Sequence, residues 1–407
     1  MIDSSVQAFT SITANYLPKA RVLARSIQRL APEVRVHLVL SDDPPQGFDL
    51  AREPFDRLIG LDDLGFGQDR QWLFGHTVVE LCTAVKGRAF QYLFDHCGAT
   101  KAFYFDPDTV VFGRLDELCA LLDRHSAILT PHQCLPEVDV DAVADNELAS
   151  LKHGVFNLGF LGARSDGEGR RLVDWWSERL QRFCYDDFSR GLFTDQRWMD
   201  LAPCFFPEVG IVRDPGFNVA TWNLTHRQVT GSLATGVRVN GAPLGFYHFS
   251  GFDSGAQERM LNKYGSDNSA LLELRRWYLD ECARQGQAEL GGRDARWSRF
   301  DDGTLIEPRQ RVLYRTRADL QRAFPDPFAT KDPKSSYLHW WRVNAPSDAA
   351  AGSFQAPADA PYGLVLREFL DYTAARVRRS PRLGRWSRAC LLPALTLAQR
   401  LSRLLPG

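Results

Sequence analysis

The sequence has almost no excess charge of either sign: 49 lysines and arginines stand against 50 aspartates and glutamates, a net charge of −1 over 407 residues. An overall basic face for a polynucleotide is thereby excluded, and no nucleic acid is expected as a partner. Long hydrophobic runs are missing too. Nowhere do eighteen apolar residues follow one another, so no stretch reads as a membrane-spanning helix, and residues 1 to 17 lack the basic region and apolar segment of a secretory signal. The eight cysteines include no Cys-x-x-Cys pair, which argues against a structural zinc site or a disulfide framework and favours a reducing compartment. A cytoplasmic protein is expected. The phosphate-binding Walker loop, Gly-x-Gly-x-x-Gly, His-Glu-x-x-His and Gly-x-Ser-x-Gly are all absent. What is present is 44% hydrophobic and 12% aromatic residues, enough for a globular core. The length exceeds the roughly 250–300 residues at which one core stops growing, so an extension or second domain is expected.

Residues 6 to 10 form a short apolar run, residues 20 to 30 carry apolar side chains at helical spacing, and residues 34 to 40 are β-branched and end at Ser41-Asp42-Asp43. This is strand, helix, strand. The pattern recurs with a helical period over 78 to 94, a strand over 101 to 105 and the acidic turn Asp106-Pro107-Asp108. The alternation predicts an α/β fold with a Rossmann-like, mostly parallel sheet flanked by helices, whose ligands bind outside the carboxyl ends of the strands. Strand ends at residues 10 to 15, 41 to 43 and 106 to 108 are expected to converge on one crevice.

Four units are expected: a catalytic domain over 1–255, a helical extension over 256–345, a linker over 346–362 and a basic amphipathic tail over 363–407. The tail holds eight arginines between 376 and 403 and no acidic residue after Asp371, which leaves the first 375 residues at −9. Its interleaved leucines fit a segment lying on an anionic membrane surface, and equally a helix packed on the protein's own acidic body.

Asp106 and Asp108 carry the sharpest chemical signal. Alternate residues of an extended chain face the same way, so both carboxylates can address one ion while Pro107 stiffens the turn between them. Mg²⁺ and Mn²⁺ take oxygen ligands and leave positions open for phosphates. Alone, the same residues also read as a solvated turn. His248, delivered by an apolar run just before Ser250-Gly251, is a candidate third ligand, against the alternative of a hydrogen-bonded core histidine. Asn157, in the glycine-rich run from Gly154 to Gly162, offers an amide to a hydroxyl-rich ligand. Asp195 and Gln196 place a carboxylate beside an amide, with a helix N-cap as the alternative for Asp195.

Taken in order, a first strand, Lys86 on a helix, Asp-x-Asp at 106–108, Asn-x-Gly at 157–159, Asp195-Gln196 and His248-Phe-Ser-Gly251 resemble metal-dependent glycosyltransferases of the GT-A fold, in particular the family 8 type and bacterial relatives that build surface glycans. The resemblance covers roughly residues 5 to 255. It implies a nucleotide-sugar donor, UDP-linked by preference, and Mn²⁺ or Mg²⁺ held by Asp106, Asp108 and His248. It assigns donor-sugar recognition and catalysis to Asn157, Asp195 and Gln196, diphosphate or sugar contact to Lys86, and nucleotide contact to Thr10 and Asn15. It further implies a glycan or lipid-linked acceptor and retention of anomeric configuration. Where the family carries Lys-Pro-Trp after His-Phe-Ser-Gly, this chain has Phe252-Asp253-Ser254, so contact to the leaving group falls to Lys263, an arginine or the metal.

Two other readings compete. Asp106-Pro-Asp108-Thr also fits the nucleophile motif of haloacid-dehalogenase-like phosphatases, but about a hundred residues precede it and no Gly-Asp dipeptide occurs for the later metal motif. The third reading is a non-catalytic protein that binds a nucleotide sugar or a glycan. Trp175, Trp176, Trp222, Trp340 and Trp341 are candidates for stacking on a sugar, with core packing favoured for the pair at 175–176 because it lies in a helical stretch, and the polar, aromatic-rich stretch from Asp214 to Arg227 is a candidate lining for the acceptor side.

Overall fold

The computed structural model describes residues 2–251 and 255–344. A seven-stranded sheet forms its centre. Its strands are β1 (Val6–Ile12), β2 (Arg35–Leu40), β3 (Arg57–Gly60), β4 (Lys101–Phe105), β6 (Ala127–Pro131), β7 (Phe156–Arg164) and β8 (Val209–Ile211), arranged β8-β6-β7-β4-β1-β2-β3. β5 (Thr109–Val111) lies outside it, paired with β9 (Phe246–His248). Every pairing in the large sheet is parallel except those of β7, which runs antiparallel to both β4 and β6. The expected α/β class with a mostly parallel sheet is therefore observed.

β1 reads Val-Gln-Ala-Phe-Thr-Ser-Ile and is buried at every position, as a central strand covered on both faces must be. α1 (Leu17–Leu30) starts with Pro18 in its first turn, where proline's missing N–H is harmless, and buries Leu17, Leu23 and Ile27 against the sheet. The helical period over 78 to 94 resolves into two helices, α3 (Val78–Ala84) and α4 (Lys86–His96), meeting at Val85. α3 follows the short helix α2 (Arg70–Gly75). α4 crosses α6 (Gly167–Phe183) closely: a Cβ on Gly87 would lie 2.5 Å from the Ser177 Cα. α5 (Leu115–Arg124) sends Leu118 and Leu122 into the same core as Phe103, Phe105 and Phe160.

Helices at Ala256–Tyr264, Ser269–Arg284, Pro308–Thr316 and Ala318–Ala323 occupy the stretch where a helical extension was expected. The described residues up to Leu338 form one compact unit, with a boundary between Leu338 and His339. The expected linker and basic tail lie outside the described residues. No described helix is long and apolar enough to cross a membrane.

Candidate metal site

β4 is an apolar strand that ends where Asp106, Pro107 and Asp108 turn the chain into β5. The Asp106 N–H donates to the Gly159 carbonyl of β7 (2.8 Å) and the Thr109 N–H to the Asp106 carbonyl (3.0 Å), fixing the turn. β5 pairs antiparallel with β9 so that His248 lies opposite Thr109, and the Phe249 N–H donates to the Asp108 carbonyl (2.8 Å). Two segments 140 residues apart in sequence thus bring the imidazole to both carboxylates. His248 Nε2 is 3.1 Å from Asp108 Oδ1 and 3.6 Å from Asp106 Oδ2.

The three candidate ligand atoms lie within 4.8 Å of one another. An octahedral Mg²⁺ with bonds of about 2.1 Å has neighbouring ligands about 3 Å apart, so this spacing fits a hard divalent cation with open positions. The tautomer fits as well. Asn157 Oδ1 accepts from the Gly159 N–H (3.2 Å) and from Asn218 Nδ2 (3.0 Å), so the His248 Nδ1 that meets it at 3.2 Å must be the donor. That leaves Nε2 to face the carboxylates, the arrangement common to metal-bound histidines. Without a cation, burial lowers the His248 pKa but the Asp108 carboxylate outweighs it, and the net direction is upward. Burial likewise works against the Asp108 charge, and the His248 imidazole turns its pKa downward.

Glycine makes room for this packing. A Cβ on Gly159 would stand 2.3 Å from His248 Cε1, so the ring occupies the space that any other side chain at 159 would need.

A cavity of about 560 Å³ opens against these residues. Lys86 enters it from α4, with Nζ 2.8 Å from Asp195 Oδ2, 3.4 Å from Asp106 Oδ1, and donating to the Leu158 carbonyl at 3.1 Å. Its ammonium also lies over the Tyr104 ring, whose hydroxyl donates to Asp106. Burial opposes the Lys86 charge, but Asp106 and Asp195 more than compensate and raise its pKa. Asp195 is raised, burial being the main cause against the opposing pull of Lys86. Asp195 does precede a short helix, Gln196–Met199, yet its side chain caps nothing there and turns to Lys86 instead. The preceding Thr194 is held at φ +44°, a strained position for a β-branched residue, of the kind that clusters at functional sites.

Asn157 and Gln196 also line the cavity, but their amides are engaged within the protein. Gln196 Oε1 accepts from the Leu158 N–H (3.0 Å) and its Nε2 donates to the His153 carbonyl (3.0 Å), while Asn157 Nδ2 faces His132 Nε2 (3.2 Å). His132, at the end of β6, sits in no recognisable motif and was not singled out by sequence, whereas Asn218, held at φ +54°, lies in the polar stretch 214–227 expected on the acceptor side. Burial keeps His132 neutral by pulling its pKa to about 4.

Trp222 stands on the cavity wall between His132 and His248, with ring centroids 5.7 and 5.3 Å away. Trp176 is core, fully buried, its indole N–H donating to the Asp195 carbonyl (3.1 Å).

Thr10 and Asn15 are not brought to this cavity. Thr10 is fully buried within β1, and the Asn15 side chain accepts from the Thr13 hydroxyl (2.7 Å). The carboxyl ends of the parallel neighbours β2, β1 and β4 lie along one edge of the sheet, the Ala14 N–H donating to Asp42 Oδ2 at 3.1 Å, while Asp42 and Asp43 line a separate cavity of about 330 Å³. Lys263 pairs with Asp145 at 2.5 Å. Residues 252 to 254 lie outside the described residues.

One wall of the cavity is built by Thr77, Glu80 and Thr83 of α3 and its cap. Thr77 and Glu80 form a capping box, and Glu80 Oε1 accepts from the Asp186 N–H (2.8 Å). The buried Glu80 carboxylate is neutralised by Arg315 from the helix Pro308–Thr316 at 3.0 Å. Arg311 of the same helix donates to the Phe74 (2.9 Å) and His76 (2.7 Å) carbonyls and to that of Trp297. Sequence gave no sign of this pairing across 235 positions.

No family model matches the sequence. Two curated relatives, both from Bacillus subtilis (strain 168), are similar over short stretches. Uncharacterized protein YfnF is 31% identical over 150 residues, 37% of this chain and 46% of the relative. Uncharacterized protein YfnD is 38% identical over 101 residues, 24% of this chain and 32% of the relative. The chain thus spans less than half the length of the curated relatives it matches.

Similar solved structures include the galactosyltransferase LgtC in complex with donor and acceptor sugar analogues (18% identity, 65% of this chain and 96% of that one, TM-score 0.38). Others are the glycosyltransferase GlyE of Streptococcus pneumoniae TIGR4 (15%, 68% and 64%, 0.39) and mouse xyloside xylosyltransferase 1 (15%, 61% and 98%, 0.37).

Proposed function

We propose that this chain is a GT-A-type glycosyltransferase, similar to the family 8 type, that moves a sugar from a nucleotide-sugar donor, UDP-linked by preference, to a glycan or lipid-linked acceptor. The observation that carries the reading is the meeting of Asp106, Asp108 and His248 at one cavity with the buried Lys86–Asp195 pair. Mn²⁺ or Mg²⁺ bound by the first three residues supplies Lewis-acid stabilisation of the charge that develops on a leaving diphosphate.

The chain's own residues account for the rest. Lys86 lies between Asp195 and Asp106, so it holds the Asp195 carboxylate ionised at the cavity wall, where it can stabilise oxocarbenium character in the transferring sugar. Asn157 orients His248, and Gln196 ties the strand at Leu158 to the carbonyl of His153, so both act on the site through their neighbours. Trp222 offers an aromatic edge beside the metal ligands. Retention of configuration, by front-face attack without a protein nucleophile, belongs to the same reading. So does a role in bacterial surface polysaccharide or lipopolysaccharide assembly, with the basic tail holding a cytoplasmic protein at the anionic face of the inner membrane.

The test is a thermal-shift series with UDP, GDP, dTDP, CMP and ADP, with and without Mn²⁺, on the wild type and on Asp106→Ala/Asp108→Ala. One nucleotide is expected to stabilise the wild type only when metal is present, and to leave the double variant unmoved. A folded wild type that responds to none of them would sink the reading and direct attention to phosphate-ester hydrolysis.

A further inference from the structure

A second cavity, of about 270 Å³, lies directly behind the first. Gln133 and Asn223 line it, while their chain neighbours His132 and Trp222 line the transfer cavity. Gln133 Nε2 donates to the Trp222 carbonyl, so residues of the two linings touch between the two spaces.

The lining of this second cavity carries two arginines and no carboxylate. Arg213 is exposed at its edge. Arg227 is only 6% exposed, and the contrast with the other buried arginine is informative. Arg311 satisfies its guanidinium on three carbonyls, whereas Arg227 donates to one, that of Phe217 (2.7 Å), beside the Cys134 thiol. Among the described residues no carboxylate lies within ion-pair distance of Arg227. Asp214 is engaged by Arg114, at 3.0 Å to Nη1 and 2.5 Å to Nη2, and His226 meets Glu137 at 3.2 Å. Burial pulls the Arg227 pKa down to about 10 and outweighs the Asp214 charge, which reaches the guanidinium only from beyond ion-pair distance. An oxyanion in the cavity offsets the cost of that burial. Gln133 Oε1 is also buried there without a partner, which suits a hydroxyl close to the anion.

We propose that this second cavity binds a phosphate-class oxyanion through Arg227 and Arg213, with Gln133 Oε1 accepting from a neighbouring hydroxyl. Resting on the glycosyltransferase reading above, the oxyanion is the charged group of the acceptor, held behind Trp222 while its sugar reaches the transfer cavity.

Calorimetric titration of the full chain at low ionic strength, with inorganic phosphate and with glycerol 1-phosphate and without nucleotide or metal, tests this. Both probes are expected to bind, each at least about tenfold more weakly to Arg213→Gln, since a charge-assisted hydrogen bond is worth roughly that factor or more. Arg227→Gln should lose binding further, and Arg213→Gln keeps the test valid if the buried change unfolds the protein. The advantage of glycerol 1-phosphate over phosphate should vanish in Gln133→Leu. Asp106→Ala/Asp108→Ala should bind both probes as the wild type does. No binding to the wild type, binding that ignores Arg213→Gln, or binding that tightens in the aspartate variant would each overturn the proposal, the last by placing the anion in the first cavity, where without metal the two carboxylates repel it. A negative nucleotide series leaves these outcomes readable, so the two proposals fail separately.

Discussion

Replacing Gly159 by alanine adds one methyl group at the tightest point of the site. The backbone at 159 does not require glycine's left-handed freedom, so the whole effect comes from contact. The new Cβ would stand 2.3 Å from His248 Cε1 and 2.7 Å from both His248 Nδ1 and Asn157 Oδ1. Carbon atoms prefer to approach no closer than about 3.5 Å, so the ring must retreat by about 1.2 Å. A retreat of that size breaks the 3.2 Å bond to Asn157 that fixes the tautomer and pulls Nε2 out of register with Asp106 and Asp108. Disturbing such an orienting partner costs about 10–100-fold in metal affinity, while overpacking costs roughly 1–3 kcal/mol of stability.

Gly162→Ala is the matched control. It lies on the same strand, and its Cβ would meet Ile128 at 2.7 Å and Phe103 at 2.9 Å, both apolar and neither near the carboxylates. Mn²⁺ binding followed by electron paramagnetic resonance, with melting curves alongside, separates the two. Both variants should lose stability, and Gly159→Ala alone should lose Mn²⁺ affinity. Wild-type Mn²⁺ affinity in folded Gly159→Ala would refute the reasoning.

Arg315→Met should destabilise the fold by about 3–5 kcal/mol, because it strands the buried Glu80 carboxylate, and Glu80→Gln in the same chain should restore much of the loss in chemical denaturation. If single and double variants unfold alike, the pair carries no such burden. Burial holds His37, His76 and His132 neutral, each with its pKa lowered to about 4 from an ordinary 6.5. The unfolded chain binds these protons first, so stability is fully present above pH 6.5 and falls as the pH drops towards 4, by up to about 3 kcal/mol per histidine. A flat stability profile across that window would contradict the burial of these rings. Deleting residues 376 to 407 should release the chain from anionic liposomes in a sedimentation assay, while metal-dependent nucleotide binding persists. Equal sedimentation of both forms would remove the membrane role.

The strands that read clearly in the sequence are those whose ends carry polar punctuation: β1, β2 and β4 fall where apolar runs give way to Thr13, Ser41 and Asp106. β7 was legible only as a glycine-rich apolar stretch. Buried on both faces, it shows no alternation, and its glycines mark the approach of His248 and Phe103 rather than a turn. Lys86, Asp106, Asp108, Asn157, Asp195 and His248 could be named because short motifs carry them. Thr10 and Asn15 were placed by position alone and are not among the residues that line the cavity beside Asp106. Glu80 carries no local signal, since what distinguishes it is a partner that sequence spacing does not encode, and Asn218 and Arg227 were legible only as members of the polar stretch 214–227, not for the contacts each makes.

The Glu80–Arg315 pair has a bearing on how the chain reaches this state. One wall of the cavity beside Asp106 and His248 is held by a residue that the ribosome adds 235 positions later. At translation rates of about 5–20 residues per second, the nascent chain waits on the order of ten to fifty seconds between emergence of the wall and arrival of its clamp. Through that interval Glu80 has no counter-charge, and the segment around it has reason to stay open to water. A fragment cut at residue 255 would be arrested in the same condition, with the metal ligands in hand and the wall beside them unsecured.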